Sequence, residues 1–288
     1  MVLHLRSVKL WVAVSLASLF LYNLYWLVDS FIGNGYRIGF GMVVNAFKAL
    51  FGIQVNLEPI WIAGHASSTV GLMVRFCELT LALYVAYVAF RQGKSLSDVR
   101  GKVSVVVLLE AGYFLCFLLP ASMLLWLGQD VFAASYFLQI LLVAPLLALL
   151  AVKVWRSGAG VWKYFALAFV GYVAATWVNN NSRWIAMTDL SPVQLAGFAN
   201  GTISLTIALV FAAGWCLTVW RGRGRALGTR LFGLSLVMLG AHFLLYLAYT
   251  VVVSTLSAVM LVEVWAIPLL GLGAALLRAG SDAESLSA

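Results

Sequence analysis

The sequence predicts an all-α protein that crosses a membrane eight times, and three observations support this fold class. Of the 288 residues, 64% are hydrophobic and only 10% are charged, whereas a soluble domain is close to half apolar and a quarter charged. The apolar residues form long stretches of about 20, the length that spans a bilayer as a helix. Most of the basic residues lie at the termini and in alternate connections between these stretches, which is typical of a multi-pass protein of the cell membrane.

The eight predicted spans follow one another with short connections. The first resembles a signal sequence, but its apolar part, Leu10 to Val28, is too long and ends in aromatic residues, so we expect it to remain as a span. The last two form one apolar run that would be about 72 Å long as a single helix, so we expect a turn at Ser254–Ala258. The predicted spans are 8–28, 66–90, 103–127, 131–152, 162–178, 192–220, 231–253 and 257–278.

The basic residues predict the orientation of the chain. Eight spans place fourteen of the 18 lysines and arginines on one side, with Arg37, Lys48 and Arg183 on the other and Arg75 inside a span. The positive-inside rule then puts both termini in the cytoplasm. The net charge of +8, including the run Arg221–Arg225, is explained by topology, and we expect no nucleic-acid partner because no folded basic domain is present.

Two outer connections contain features of interest. In 29–65, the apolar residues between Ile38 and Phe51 follow helical spacing, which predicts an amphipathic helix in the membrane interface. A re-entrant segment is the alternative, because glycines are frequent there. The other connection and the outer end of span two contain polar and aromatic residues that suggest a ligand site at the outer mouth: His65, Arg183, Trp184 and Asp189.

Short matches between the two halves of the chain suggest an internal duplication within one transmembrane domain, residues 1–288. Span three contains AGYFLCFL and span seven contains GAHFLLYL, which pairs Tyr113 with His242. Spans two and six end in AFRQG and VWRGR, and spans four and eight contain PLLALLA and PLLGLGA. The matches predict a parallel 4+4 helix repeat with halves 1–152 and 153–278, followed by a flexible tail, 279–288.

Small residues and prolines mark predicted helix contacts and kinks. Gly197 and Gly201 form a GxxxG pattern in span six, which is typical of close helix packing. Proline inside a helix removes a backbone donor and frees a carbonyl group, so we expect kinks at Pro120, Pro145 and Pro268.

Ionisable and polar residues inside the spans are the candidate functional residues, because a charge at a span centre costs about 2.5–3.5 kcal/mol on insertion scales. Helix rise places Glu78, Tyr113 and His242 in one layer about 15–18 Å from the inner boundary. Arg75, Gln139, Asn200 and Glu263 fall about 9–14 Å below the outer boundary. Glu110 is predicted to lie alone, about 10 Å above the cytoplasmic edge.

Charge balance among these residues favours a pathway over a purely structural role. Arg75 and Glu78 are three residues apart on one helix face and can neutralise each other, and Glu263 is a second candidate partner of Arg75. Three carboxylates against one arginine leave an excess of acid, and a carboxylate in a low-dielectric environment takes up a proton. Exchangeable protons at several depths are what a proton or cation pathway requires.

Three functions follow from these observations. The favoured one is proton-coupled transport of a small solute or ion. The first alternative is a quinone-binding membrane anchor of a respiratory complex, using the outer-mouth residues, and the second is an intramembrane enzyme that modifies lipid. No motif of a hydrolase, metalloenzyme or nucleotide-binding protein occurs, so we expect no catalytic residues, no metal and no cofactor except a quinone under the first alternative. Besides the lipid bilayer, the expected partners are other copies of the chain or subunits of a membrane complex.

Overall fold

The computed structural model describes residues 2–29, 59–126, 130–156, 160–186, 192–222, 224–253 and 266–285, and all secondary structure in these ranges is helical. The predicted amphipathic helix, the turn at Ser254–Ala258, Asp189 and Glu263 lie outside these ranges. The helices are α1 (Val2–Asp29), α2 (Pro59–Arg91), α3 (Leu96–Leu115), α4 (Leu118–Trp126), α5 (Asp130–Arg156), α6 (Val161–Ala186), α7 (Pro192–Arg221), α8 (Arg225–Val253) and α9 (Ala266–Ser285).

Seven long apolar segments in the described ranges are long enough to cross a membrane, which confirms a multi-pass membrane protein. They lie on α1, α2, the α3–α4 pair, α5, α6, α7 and α8, and match the first seven predicted spans. The apolar part of α9 that the structure describes, Ala266–Ser281, is shorter. Several helices extend beyond the predicted spans; among them, α3 begins at Leu96 and α6 continues to Ala186.

The helices pack in chain order and close into a ring. From α1 the extensive contacts run to α2, then α3, α5, α6, α7, α8 and α9, and α9 packs back against α1. At this closing contact Gly271 faces Trp11, and a β-carbon on Gly271 would lie 2.5 Å from the indole ring. The short helix α4 packs against α5 and α2. A ring places the inward faces of non-neighbouring helices opposite one another.

A break in the third span follows from a proline. The chain forms a turn at Cys116–Phe117, between α3 and α4, and Pro120 is the third residue of α4. Pro120 has no N–H group to donate to the carbonyl oxygen of Cys116, four residues earlier. The hydroxyl of Ser67 on α2 donates to this oxygen at 2.5 Å. The prediction of an irregularity at Pro120 is therefore confirmed, and α2 supplies the missing donor.

The other two prolines lie within described helices. Pro145 lies inside α5, which is continuous from Asp130 to Arg156. Pro268 lies in α9, whose described part begins at Ala266. The helix continues through Pro145, and the predicted kinks at Pro145 and Pro268 stay predictions.

Exchange of Ser67 for alanine is expected to destabilise the fold by about 1–3 kcal/mol, because the Cys116 carbonyl loses its donor. Pro120→Ala restores a backbone N–H in the same place, so Ser67→Ala should cost less in that background. A double-mutant cycle of unfolding in mixed detergent measures this coupling. If Ser67→Ala lowers the free energy of unfolding equally with proline and with alanine at position 120, Ser67 does not supply the donor that Pro120 lacks.

Candidate functional site

The first polar cluster joins α2 to α3 through one arginine. The Nη1 atom of Arg75 lies 2.7 Å from Oε2 of Glu78, one turn further along α2. The same nitrogen contacts Oε2 of Glu110 on α3. The predicted pairing of Arg75 with Glu78 is confirmed. The prediction that Glu110 lies alone near the cytoplasmic edge is wrong, because the two carboxylates share one guanidinium nitrogen.

Tyr113 completes this group, and we refer to Arg75, Glu78, Glu110 and Tyr113 as the charged cluster. The guanidinium carbon of Arg75 lies 5.1 Å from the centroid of the Tyr113 ring, within the range of a cation–π contact. The side chains of Glu78 and Glu110 are 9% and 17% exposed, and that of Arg75 is 21% exposed. The cluster is therefore mostly removed from the surface of the protein.

Aromatic contacts place Tyr113 on the inner side of the ring. Its ring packs on Phe117 at 5.1 Å, and Phe117 stacks on Tyr136 of α5 at 5.8 Å. The neighbouring Phe114 contacts Tyr172 of α6 at 6.5 Å, although α5 lies between α3 and α6 in the ring. Tyr113 itself packs against the buried apolar cluster that contains Ala175 of α6. Side chains of helices that are not neighbours in the ring meet on its inner side. These contacts therefore place the charged cluster on the inner side of the ring.

The formal charges of the cluster do not balance. Arg75 supplies one positive charge, and Glu78 and Glu110 each supply one negative charge when ionised. The ionised cluster would thus have a net charge of −1 inside a membrane span, and its two carboxylates would lie close together on one nitrogen. Such an arrangement is costly in low dielectric. A proton or another monovalent cation brings the net charge to zero.

The second polar group lies between α6, α7 and α8 and has no formal charge when His242 is neutral. His242 is buried, and its Nδ1 atom lies 3.4 Å from the hydroxyl of Ser204. A β-carbon on Gly201 would lie 2.9 Å from Oδ1 of Asn180 and 3.2 Å from Cε1 of His242. Asn180 also donates to the hydroxyl of Thr202 at 3.1 Å. We refer to Asn180, Gly201, Thr202, Ser204 and His242 as the neutral cluster.

The two groups show what the sequence predictions found and missed. Gly201 of the predicted GxxxG pattern does lie at a close helix contact. The structure assigns His242 to the neutral cluster and Glu78 and Tyr113 to the charged cluster. The sequence instead predicts all three in one layer, because their distances from the inner membrane boundary are similar. Sequence reasoning missed Asn180 as a site residue because the predicted span ended at 178. The three consecutive asparagines at 179–181 were the available signal.

The remaining predicted site residues do not join either cluster in the described part of the structure. Gln139 is half-buried on α5, and Asn200 is exposed on α7. His65 lies on α2, and Arg183 and Trp184 lie on α6, but their side chains are outside the described part, as are Asp189 and Glu263 entirely. The outer-mouth ligand site and the pairing of Glu263 with Arg75 therefore stay predictions.

A comparison of the chain with protein-family models, with curated proteins and with solved structures finds no match.

Proposed function

We propose that this chain is a cell-membrane transport protein that couples the movement of protons to that of a small solute or ion along the inside of its helix ring. The observation that carries the proposal is the sharing of the Arg75 guanidinium by Glu78 and Glu110 within membrane spans. An ion cluster built only for stability would be a poor choice, since packed apolar residues stabilise a core as well or better. The unbalanced charge instead suits a site that is alternately protonated and deprotonated.

The proposed topology has eight spans with both termini in the cytoplasm. The apolar residues 257–265 and the apolar part of α9 together have the length of an eighth span. The contact of α9 with α1 supports this count, because eight antiparallel spans in chain order can close a ring between the first and the last. The orientation rests on the distribution of lysine and arginine.

We also propose that the chain is a parallel 4+4 repeat, and hydrogen bonds in the two halves support this. The AFRQG and VWRGR matches align Arg91 with Arg221, a shift of 130 residues. This shift pairs Leu72 on α2 with Thr202 on α7. The amide of Asn23 on α1 donates to the Leu72 carbonyl at 3.1 Å, and the amide of Asn180 on α6 donates to the Thr202 hydroxyl at 3.1 Å.

Two further pairs of contacts lie at aligned positions of the two halves. The contact of Phe20 with Phe76, at 5.2 Å, corresponds to the hydrogen bond from Trp177 to Thr206, at 2.9 Å. Both this pair and the asparagine pair place α6 at a shift of 157 residues from α1. A third pair, Gly71 beside Tyr113 and Gly201 beside His242, appears where the sequence matches predict it.

The alignment places charge in only one half. The shift of 130 residues aligns Arg75 with Leu205 and Glu78 with Ala208, and the AGYFLCFL and GAHFLLYL matches, at a shift of 129 residues, align Glu110 with Leu239. These three positions of the second half are apolar and buried. The fold therefore accommodates apolar packing at these positions, which argues that the charges in the first half have a purpose other than helix contact. Parallel repeats in transporters place their sites near the midplane, at the repeat interface.

Proton movement in liposomes tests the proposal. Purified protein is reconstituted with a pH-sensitive dye inside, and the liposomes are diluted into a more acidic buffer, with the same mixture of small amines, sugars and carboxylic acids on both sides of the membrane. The wild type is expected to acidify the lumen, and Glu78→Gln is expected to lower the rate to that of empty liposomes. Asp98→Asn is the matched control, because it removes one carboxylate at the exposed start of α3 and keeps an acceptor for the cap. Equal rates for wild type and Glu78→Gln would refute the proposed site.

A further inference from the structure

We propose that the solute handled by the charged cluster is a monovalent organic cation, a guanidinium or amine, which binds in exchange for one proton. This inference rests on the proposed transport function and specifies its substrate class. It follows from three features of the cluster: its net charge, the aromatic surface around it, and the guanidinium group that already occupies it.

The net charge selects the sign and the valence of the solute. An anion would meet a cluster whose single positive group already contacts two carboxylates. A monovalent cation brings the ionised cluster from −1 to zero, whereas a divalent cation would leave it at +1. Because uncompensated charge in a membrane span is costly in either direction, a monovalent cation is the best match.

The surroundings favour an organic cation over a metal ion. The rings of Tyr113, Phe117 and Tyr136 pack in series, starting at the Tyr113 ring that Arg75 contacts. Aromatic faces attract ammonium and guanidinium groups, and such groups also donate hydrogen bonds to carboxylates. Hard metal ions instead require a shell of oxygen ligands.

Arg75 shows which group the cluster accepts. Its guanidinium contacts both carboxylates and the Tyr113 ring at once. A solute with the same head group can make these contacts beside Arg75 or in its place, and Arg75 acts as a tethered counter-ion that neutralises one of the two carboxylates. In the exchange step the O–H bond of a protonated carboxyl group breaks and the proton leaves to water. The carboxylate then accepts an N–H hydrogen bond from the solute, or a contact from its charged head group, and one positive charge replaces another.

Titration of the purified protein in detergent tests this inference. Methylguanidinium, methylammonium, sodium and acetate are each added as chloride or sodium salts, and calorimetry in two buffers of different ionisation enthalpy counts the protons released. We expect the two organic cations to bind with release of one proton, and sodium and acetate not to bind. The double variant Glu78→Gln/Glu110→Gln should abolish binding, and Asp98→Asn should leave it unchanged. Tyr113→Leu should weaken it by about 2- to 30-fold through loss of the cation–π contact.

The outcomes separate this inference from the proposed function. Binding of sodium with the same proton release would overturn the proposal that the solute is an organic cation. Binding of acetate would overturn the proposal that the charge of the cluster selects a cation. Failure of every probe to bind would overturn the inference, while Glu78-dependent proton flux in liposomes would still support transport. Binding of organic cations in detergent without any flux in liposomes would support the inference and refute transport.

Discussion

Replacement of Arg75 by leucine is expected to destabilise the protein by about 3–5 kcal/mol, because Glu78 and Glu110 then share a buried site without a counter-charge. The loss should show as a lower midpoint of unfolding in mixed detergent. Arg91→Leu is the matched control, since it makes the same exchange at the exposed end of α2. An Arg75→Leu protein that unfolds at the wild-type midpoint would show that the carboxylates do not depend on Arg75.

The triple variant Arg75→Leu/Glu78→Ala/Glu110→Leu is expected to fold with wild-type stability or better, by up to about 4 kcal/mol, and to lose proton flux entirely. Removal of the whole ion cluster leaves no uncompensated charge, and apolar replacements of buried ion groups are often neutral or stabilising. The replacements are those found at the aligned positions of the other half: Leu205, Ala208 and Leu239.

Unfolding and proton flux, measured on the same reconstituted samples, distinguish the two roles of the cluster. If the ions only hold α2 and α3 together, the triple variant should lose stability and retain whatever flux the wild type has. If they form the transport site, stability should persist and flux should disappear. The triple variant is compared with the single variant Arg75→Leu, because we expect the triple replacement to lower the stability less than the single one.

The membrane fold could be predicted from the sequence because hydropathy and helix length are local properties. Composition alone required a lipid environment, and seven of the predicted spans coincide with long apolar segments of the structure. The pairing of Arg75 with Glu78 was equally accessible, since residues three apart on a helix share a face. These predictions needed no knowledge of how the helices pack.

The partner of Arg75 on α3 could not be found in this way, and the reason is geometric. The predicted depth of Glu110 is its distance from residue 103, the predicted start of the span, but α3 begins at Leu96. Seven additional residues add about 10 Å of helix, which raises Glu110 from about 10 Å to about 20 Å above the start of its helix. Glu78 lies about 20 Å from the end of α2 at Arg91, so the two carboxylates meet at the same level.

The neutral cluster was missed for the same kind of reason. The polar residues at 179–181 ended the predicted span, although the helix continues to Ala186. Inside the ring, neighbouring helices satisfy these amides, as Thr202 does for Asn180. A hydropathy scale scores each residue of a span as if it faced lipid, so it counts these amides as unfavourable. Packing decides whether a polar side chain meets lipid or protein.

The central claim is that the charged cluster holds a proton that exchanges with water. Infrared spectroscopy of the reconstituted protein, transferred from H₂O to D₂O, tests this most directly through the C=O stretch of a protonated carboxyl group. We predict a carboxyl band that shifts in D₂O within minutes and is missing in the double variant Glu78→Gln/Glu110→Gln. A wild-type spectrum identical to that of the double variant in this region, or a cluster band that does not shift after prolonged exposure to D₂O, would contradict the claim.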